Sequence, residues 1–286
     1  MQSHGTALIV AAAASAAAAT AEMHMELNLK DRVAFITGAN RGIGAGIAQA
    51  FAVEGIHLGL FARNVAQCEE VAQQIRASTQ VRVHVQHIDF AQPETLPPAV
   101  SRAVEILGGV DILVNCAGGA KRGHFHEVSD SDWETCFSVK PLGLIRMTRA
   151  VLPYLERSNQ PRIVNLAGTR GREPSAFSAV AGPINMGTLS LTKLMANDLG
   201  HKGITVNAIN PGSTNTRRWT NLIEVYAKDK NLSREEAEKV LVEEVPLGRV
   251  VEIRDIADLA IFLASARAGM ISGTAINVDG GRSRSI

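Results

Sequence analysis

The sequence predicts an α/β fold, a doubly wound parallel sheet of seven strands, on three observations. From Asp31 onward, short β-branched runs alternate with longer segments of helical period, the pattern of βαβ units. A cluster of glycines follows directly on the first of those runs. No composition shift, linker or internal repeat divides residues 29 to 286.

Each element has its own signal. RVAFITGA reads as a buried first strand, followed by glycines at 38, 42 and 44. In GAGIAQAFAVEG the apolar Ile43, Ile47, Ala50 and Phe51 recur at helical spacing, and Gly55 is placed to cap the helix. IHLGLFA is the second strand. Asn64 with Gln67 resembles a capping box that opens a helix whose buried face is Val65, Cys68, Val71 and Ile75. VRVHVQHID is the third strand, with His84 on its polar alternation; GGVDILVNCAG is the fourth, PRIVNLAG the fifth, GITVNAINPG the sixth and TAINVDGG the seventh. Residues 222 to 245, LIEVYAKDKNLSREEAEKVLVEEV, form a long helical segment outside this rhythm. Ligands of open α/β sheets bind at the carboxyl ends of the strands, so a lid over residues 213 to 246 is expected there, carrying substrate specificity.

Composition narrows the function. The 286 residues are 46% hydrophobic and 20% charged, enough apolar material for one large core. Lysine plus arginine (29) nearly cancels aspartate plus glutamate (28), which points away from nucleic acid or an acidic membrane surface and toward a small-molecule ligand. Cys68, Cys116 and Cys136 are odd in number and lack CxxC spacing, as suits a reducing cytoplasm. His124 and His126 lack an acidic or cysteine partner at ligand spacing, so a polar loop is expected and no metal site. The alanine-rich tract within residues 1 to 22 is too short to span a bilayer and has no cationic residue ahead of it. Residues 1 to 28 are therefore expected to be a disordered extension, with Met23 or Met25 as an alternative start.

TGANRGIG puts Gly38, Asn40, Arg41, Gly42, Ile43 and Gly44 between a strand and a helix, the context a dinucleotide pyrophosphate requires. VNCAGG and NPG lie at two further strand ends and are expected to converge with it on one crevice of a Rossmann-type sheet. With these motifs, Thr216, PLGRVVEIRDIADLAIFLAS and VDGG, the chain resembles the short-chain dehydrogenases/reductases over residues 29 to 286. The resemblance implies that Asp89 lies near the adenine, that Asn115, Ala117 and Gly118 line the floor under the adenosine ribose, and that Pro211, Gly212 and Thr216 flank the nicotinamide. It also implies a homotetramer or homodimer built on helices near residues 131 to 157 and 178 to 200. Arg63 closes the second strand where an acidic residue would bind a ribose hydroxyl, and Arg41 adds a second cation, so NADP(H) is favoured over NAD(H).

The family's usual chemistry uses a tyrosine acid/base, a lysine four residues later, a carbonyl-orienting serine and a water-holding asparagine. Carried over position by position, these fall on Ala181, Asn185, Gly168 and Lys140. Alanine cannot exchange a proton, so the ordinary mechanism is excluded. Lysine and asparagine have in effect traded places, which makes Lys140 the candidate proton-transfer group, Asn185 the candidate ribose anchor and Thr169 a candidate carbonyl-orienting hydroxyl. Pro141 is expected to distort a helix there and aim Lys140 into the cleft. An oxidoreductase on a carbonyl or alcohol is the first expectation. A cofactor-binding pseudoenzyme acting as sensor or partner subunit is the alternative, and a lyase or isomerase using Lys140 is a third.

Overall fold

Strand alternation builds two cores. In β1 (Val33–Thr37), Ala34 and Ile36 face one side while Val33 and Phe35 face the other. β2 (His57–Ala62), β3 (Val83–His87), β4 (Ile112–Asn115), β5 (Arg162–Leu166), β6 (Thr205–Pro211) and β7 (Ala275–Val278) complete the sheet. The computed structural model describes residues 26–285, so most of the expected N-terminal extension lies outside the described residues. Leu27, assigned to that extension from the sequence, packs against the core, and Leu29 is buried.

All pairings are parallel, in the order β3-β2-β1-β4-β5-β6-β7. The chain winds outward from β1 to β3, returns to β4 beside β1, and winds out the other way, which leaves a crevice at the carboxyl ends of β1 and β4. α1 (Gly42–Val53), α2 (Val65–Ser78) and α9 (Ile253–Ala264) cover one face; α3 (Leu96–Leu107), α5 (Pro141–Leu155) and α6 (Ala181–Leu199) cover the other. The central strands are buried on both faces, and each buried aliphatic side chain contributes about 1.5–3 kcal/mol.

Three local expectations are corrected. Val65 is exposed because it opens the first turn of α2; Ala72 takes its place on the buried face beside Cys68, Val71 and Ile75. The capping box there is half formed. Asn64 accepts from the Gln67 backbone at 3.0 Å, while the Gln67 side chain turns to Asn40. Pro141 does not kink a helix interior; it starts one. α4 (Asp130–Val139) ends at Lys140, and proline, with no N–H to lose, occupies the first position of α5.

The segment after β6 is two helices, α7 (Arg217–Lys230) and α8 (Arg234–Glu243), separated by Asn231 in the left-handed region (φ 51°) and a Ser233–Glu236 capping box. Trp219, Ile223, Ala237 and Leu241 give them a small core of their own. The excursion leaves and rejoins the sheet at one place, where Asn215 N–H donates to Val251 and Val251 N–H to Ser213.

Candidate functional site

The dinucleotide side of the crevice is shaped by backbone contacts. A methyl on Gly44 would stand 2.4 Å from the Gly38 carbonyl oxygen, and one on Gly38 (φ 69°) would stand 2.8 Å from the Ala117 Cα. Neither position admits a side chain, so the turn can close and its N–H groups stay uncovered at the start of α1. Thr37 Oγ1 accepts the Cys116 and Ala117 N–H groups, each at 3.1 Å, which clamps the end of β4 against the end of β1. This is a residue that sequence reasoning passed over, although it stands at the strand end immediately ahead of the glycines. Asn40 joins the loop to α2 through Gln67 at 2.7 Å, and Thr216 packs facing Gly42, while half-buried Ile43 packs against the core.

Across the crevice, Gly212 rests so closely on Asp279 that a Cβ would come within 2.7 Å of the Asp279 Cβ; Pro211 ends β6 beside it, paired with Val278. Asp89, just beyond β3, accepts the Ala91 N–H at 3.0 Å. Arg63 follows the last residue of β2 and Arg41 caps α1; both are exposed. Asn115 departs from the expectation that its side chain lines the floor. It is 5% exposed, and its amide donates to Asn165 and Thr148, tying β4 to β5 and α5.

Lys140 turns inward. Its stem runs under Gly118, where an added Cβ would meet the Lys140 Cβ at 2.9 Å, and Nζ donates to the Ala167 carbonyl at 2.8 Å and to Asn185 Oδ1 at 2.6 Å. Burial pushes the Lys140 ammonium down to about 8, with the Cys116 thiol opposing and Arg218 adding to the fall. Burial pushes the Cys116 thiol up to about 12, so it stays neutral beside the lysine. Asn185 is buried on α6 one turn after Ala181, and its amide leaves no room for a side chain at Gly168. Thr169 follows, half-buried, in a single tight turn. Behind Lys140 a cavity of about 10 Å³ is lined by Thr37, Asn115, Ala117 and Leu166, among others, and Asn115 Oδ1 has no partner among the described residues. Such a volume is about one water in size.

The functional segments therefore meet in one place: the glycine loop against Ala117, Gly118 against Lys140, and Lys140 against Asn185. Fold and crevice define a dinucleotide-binding α/β protein of the Rossmann type. A family model described as enoyl-(acyl carrier protein) reductase matches residues 38–283. Acetoacetyl-CoA reductase of Shinella zoogloeoides is 32% identical over 251 residues, covering 88% of this chain and 98% of the relative. Among solved structures, L-sorbose reductase from Gluconobacter frateurii, complexed with NADPH and L-sorbose, superposes with a TM-score of 0.86 at 29% identity, covering 92% of this chain and all of that one. An NADPH-dependent reductase involved in bacilysin biosynthesis gives a TM-score of 0.83, also at 29% identity, over 89% of this chain and 99% of that one. The chain belongs to the short-chain dehydrogenase/reductase family, NAD(P)-dependent oxidoreductases of carbonyl and alcohol substrates.

Proposed function

We propose that this chain is an NADP(H)-dependent oxidoreductase of a carbonyl or alcohol in which Lys140 replaces the family's tyrosine as proton-transfer group. The observation that carries this is the inward Lys140 Nζ, held by Ala167 and Asn185 beside the crevice. NADP(H) is supported by the two NADPH-linked solved relatives and by Arg63 and Arg41, which offer planar donor forks to a 2′-phosphate. Gly38, Gly42 and Gly44 admit the pyrophosphate. Asp89, Ala117, Gly118, Pro211, Gly212 and Thr216 surround the remainder of the cofactor, with Asn115 behind them.

The nicotinamide, when bound, supplies or takes the hydride at the substrate carbon. In the reducing direction Lys140 gives a proton from Nζ to the carbonyl oxygen as the carbon gains the hydride. The O–H bond forms as the N–H bond breaks, and the neutral amine is recharged from solvent. An ammonium depressed to about 8 is well matched to this work near neutral pH. Asn185 orients that ammonium through Oδ1 and keeps its Nδ2 for a ribose hydroxyl, and the Thr169 hydroxyl orients the carbonyl. α7 and α8 act as the lid.

Exposed Leu142, Met186 and Leu194 on α5 and α6 favour a homodimer or homotetramer joined through those helices. The three free thiols suit a reducing cytoplasm. Among the described residues no helix is long and apolar enough to cross a membrane.

The test follows NADPH absorbance with ketones, aldehydes and imines. Lys140→Met is expected to lower kcat at least ~100-fold with NADPH affinity nearly unchanged. Tight NADPH binding by the parent chain with no turnover of any compound would replace this proposal with a nucleotide-binding protein that senses or partners.

A further inference from the structure

Residues 279 to 285 follow β7 and form neither helix nor strand, yet they are held on three sides. Asp279 opens the segment with a tight turn, its two carboxylate oxygens accepting the Gly281 and Ser283 N–H groups, each at 3.0 Å. Gly212, just past β6, rests on Asp279. On the lid side the Gly280 carbonyl accepts the Leu247 N–H at 3.2 Å, and a Cβ on Gly280 would fall 2.5 Å from Val245 Cγ1. The Arg282 guanidinium pairs with Glu244 and donates to the Ser213 hydroxyl at 3.3 Å. Ser213 precedes α7 and Glu244 follows α8, so one segment grips both ends of the lid.

The third side is the turn that carries Thr169. One carboxylate oxygen of Glu173 accepts the Arg284 and Ser285 N–H groups, the second at 2.7 Å. An ionised acceptor facing two main-chain donors is a strong, directional hold. The Glu173 N–H in turn donates to the Thr169 carbonyl at 3.1 Å, which closes the turn. That turn is packed on α6: a Cβ on Gly171 would stand 3.0 Å from Asn185 Cβ, and one on Gly168 would stand 2.9 Å from Asn185 Nδ2. Ala167, whose carbonyl accepts from Lys140 Nζ, immediately precedes it. Direct contacts therefore run from residues 284 and 285 through Glu173 and the turn to Asn185 and Lys140.

We propose that Glu173 is a positioning residue: by holding residues 284 and 285 it fixes the turn beside Asn185 and so the placement of Lys140 Nζ, and residues 279 to 285 act as a strap that sets the lid and the proton-transfer pair together. This rests on the oxidoreductase function proposed above. Glu173 exchanges no proton with the substrate; it acts through Asn185. A strap fastened to both the lid and the turn makes the geometry of one depend on the seating of the other.

The experiment uses the full chain and measures NADPH consumption with the ketone and aldehyde panel, NADPH affinity, and hydrogen exchange of residues 168 to 173. Glu173→Ala is expected to lower kcat about fivefold or more while KM and NADPH affinity stay within about twofold, since a less fixed Lys140 is less often aligned. Glu173→Gln keeps an acceptor for the two N–H groups and should recover most of that loss. Ser285→Pro removes one donor without altering the turn; it should reproduce part of the loss and add nothing when combined with Glu173→Ala. Should Glu173→Ala fail to fold, Ser285→Pro alone carries the kcat test. Exchange across residues 168 to 173 should quicken about tenfold in Glu173→Ala, and to a lesser degree in Ser285→Pro and in Arg282→Met, which loosens the strap at the lid. An unaltered kcat in Glu173→Ala, a Ser285→Pro loss that multiplies with it, or exchange unmoved by Arg282→Met would overturn the inference. A parent chain that consumes no NADPH, but whose turn loosens in all three variants, would uphold the strap and count against the oxidoreductase function alone.

Discussion

The two walls of the crevice are built by opposite means. Beneath the glycine loop the shape is held by main chain, with Gly44 against Gly38 and Gly38 against Ala117 at distances that admit no Cβ. On the β5 side it is held by side chains, with Lys140 reaching Asn185 and the Ala167 carbonyl. A wall made of backbone tolerates no substitution where the chains touch. A wall made of side chains can exchange its chemistry while the fold stays the same.

The largest effect that sharpens this contrast is expected from Gly44→Ala. Its methyl would collide with a carbonyl oxygen, so NADPH affinity should fall more than ~100-fold, or folded protein be lost, by fluorescence titration and circular dichroism. On the opposite wall the pH profile is the probe. With Lys140 as the acid for reduction, as proposed, kcat/KM for reduction should be level below about 8 and drop about tenfold per pH unit above it, while alcohol oxidation rises over the same interval. Asn185→Asp places an anion where Oδ1 now accepts from Nζ; the charged lysine is then favoured, and the midpoint should move upward by about one pH unit. A midpoint unmoved by Asn185→Asp would break the proposed coupling of the two side chains. The smallest effect is expected at the rim. Arg63 is exposed, so Arg63→Ala should reduce the preference for NADPH over NADH only about fivefold, measured as a ratio of Kd values.

The same division explains what was legible in the sequence. The seven strands and the glycine loop follow from short β-branched runs set between helical segments and from glycine spacing, both of which are local. The position of Lys140 was legible as a residue but not as a geometry: Pro141 can distort a helix or begin one, and only packing decides. Asn231 hid the break between α7 and α8, since a left-handed asparagine carries no signal beyond its identity. The amide of Asn115 looked like cleft lining because its neighbours are, yet the partners that bury it, Asn165 and Thr148, come from distant segments.

The paired helices after β6 have apolar contacts of their own and both feet on a single short bridge between Ser213, Asn215 and Val251. Such an arrangement behaves as a cassette. Beyond Thr216 and Arg218, which lie against Gly42 and Gly119, its sequence can drift, or be grafted from one homologue to another, without disturbing strand register or the nucleotide loop, so this surface can change while the sheet below is inherited intact.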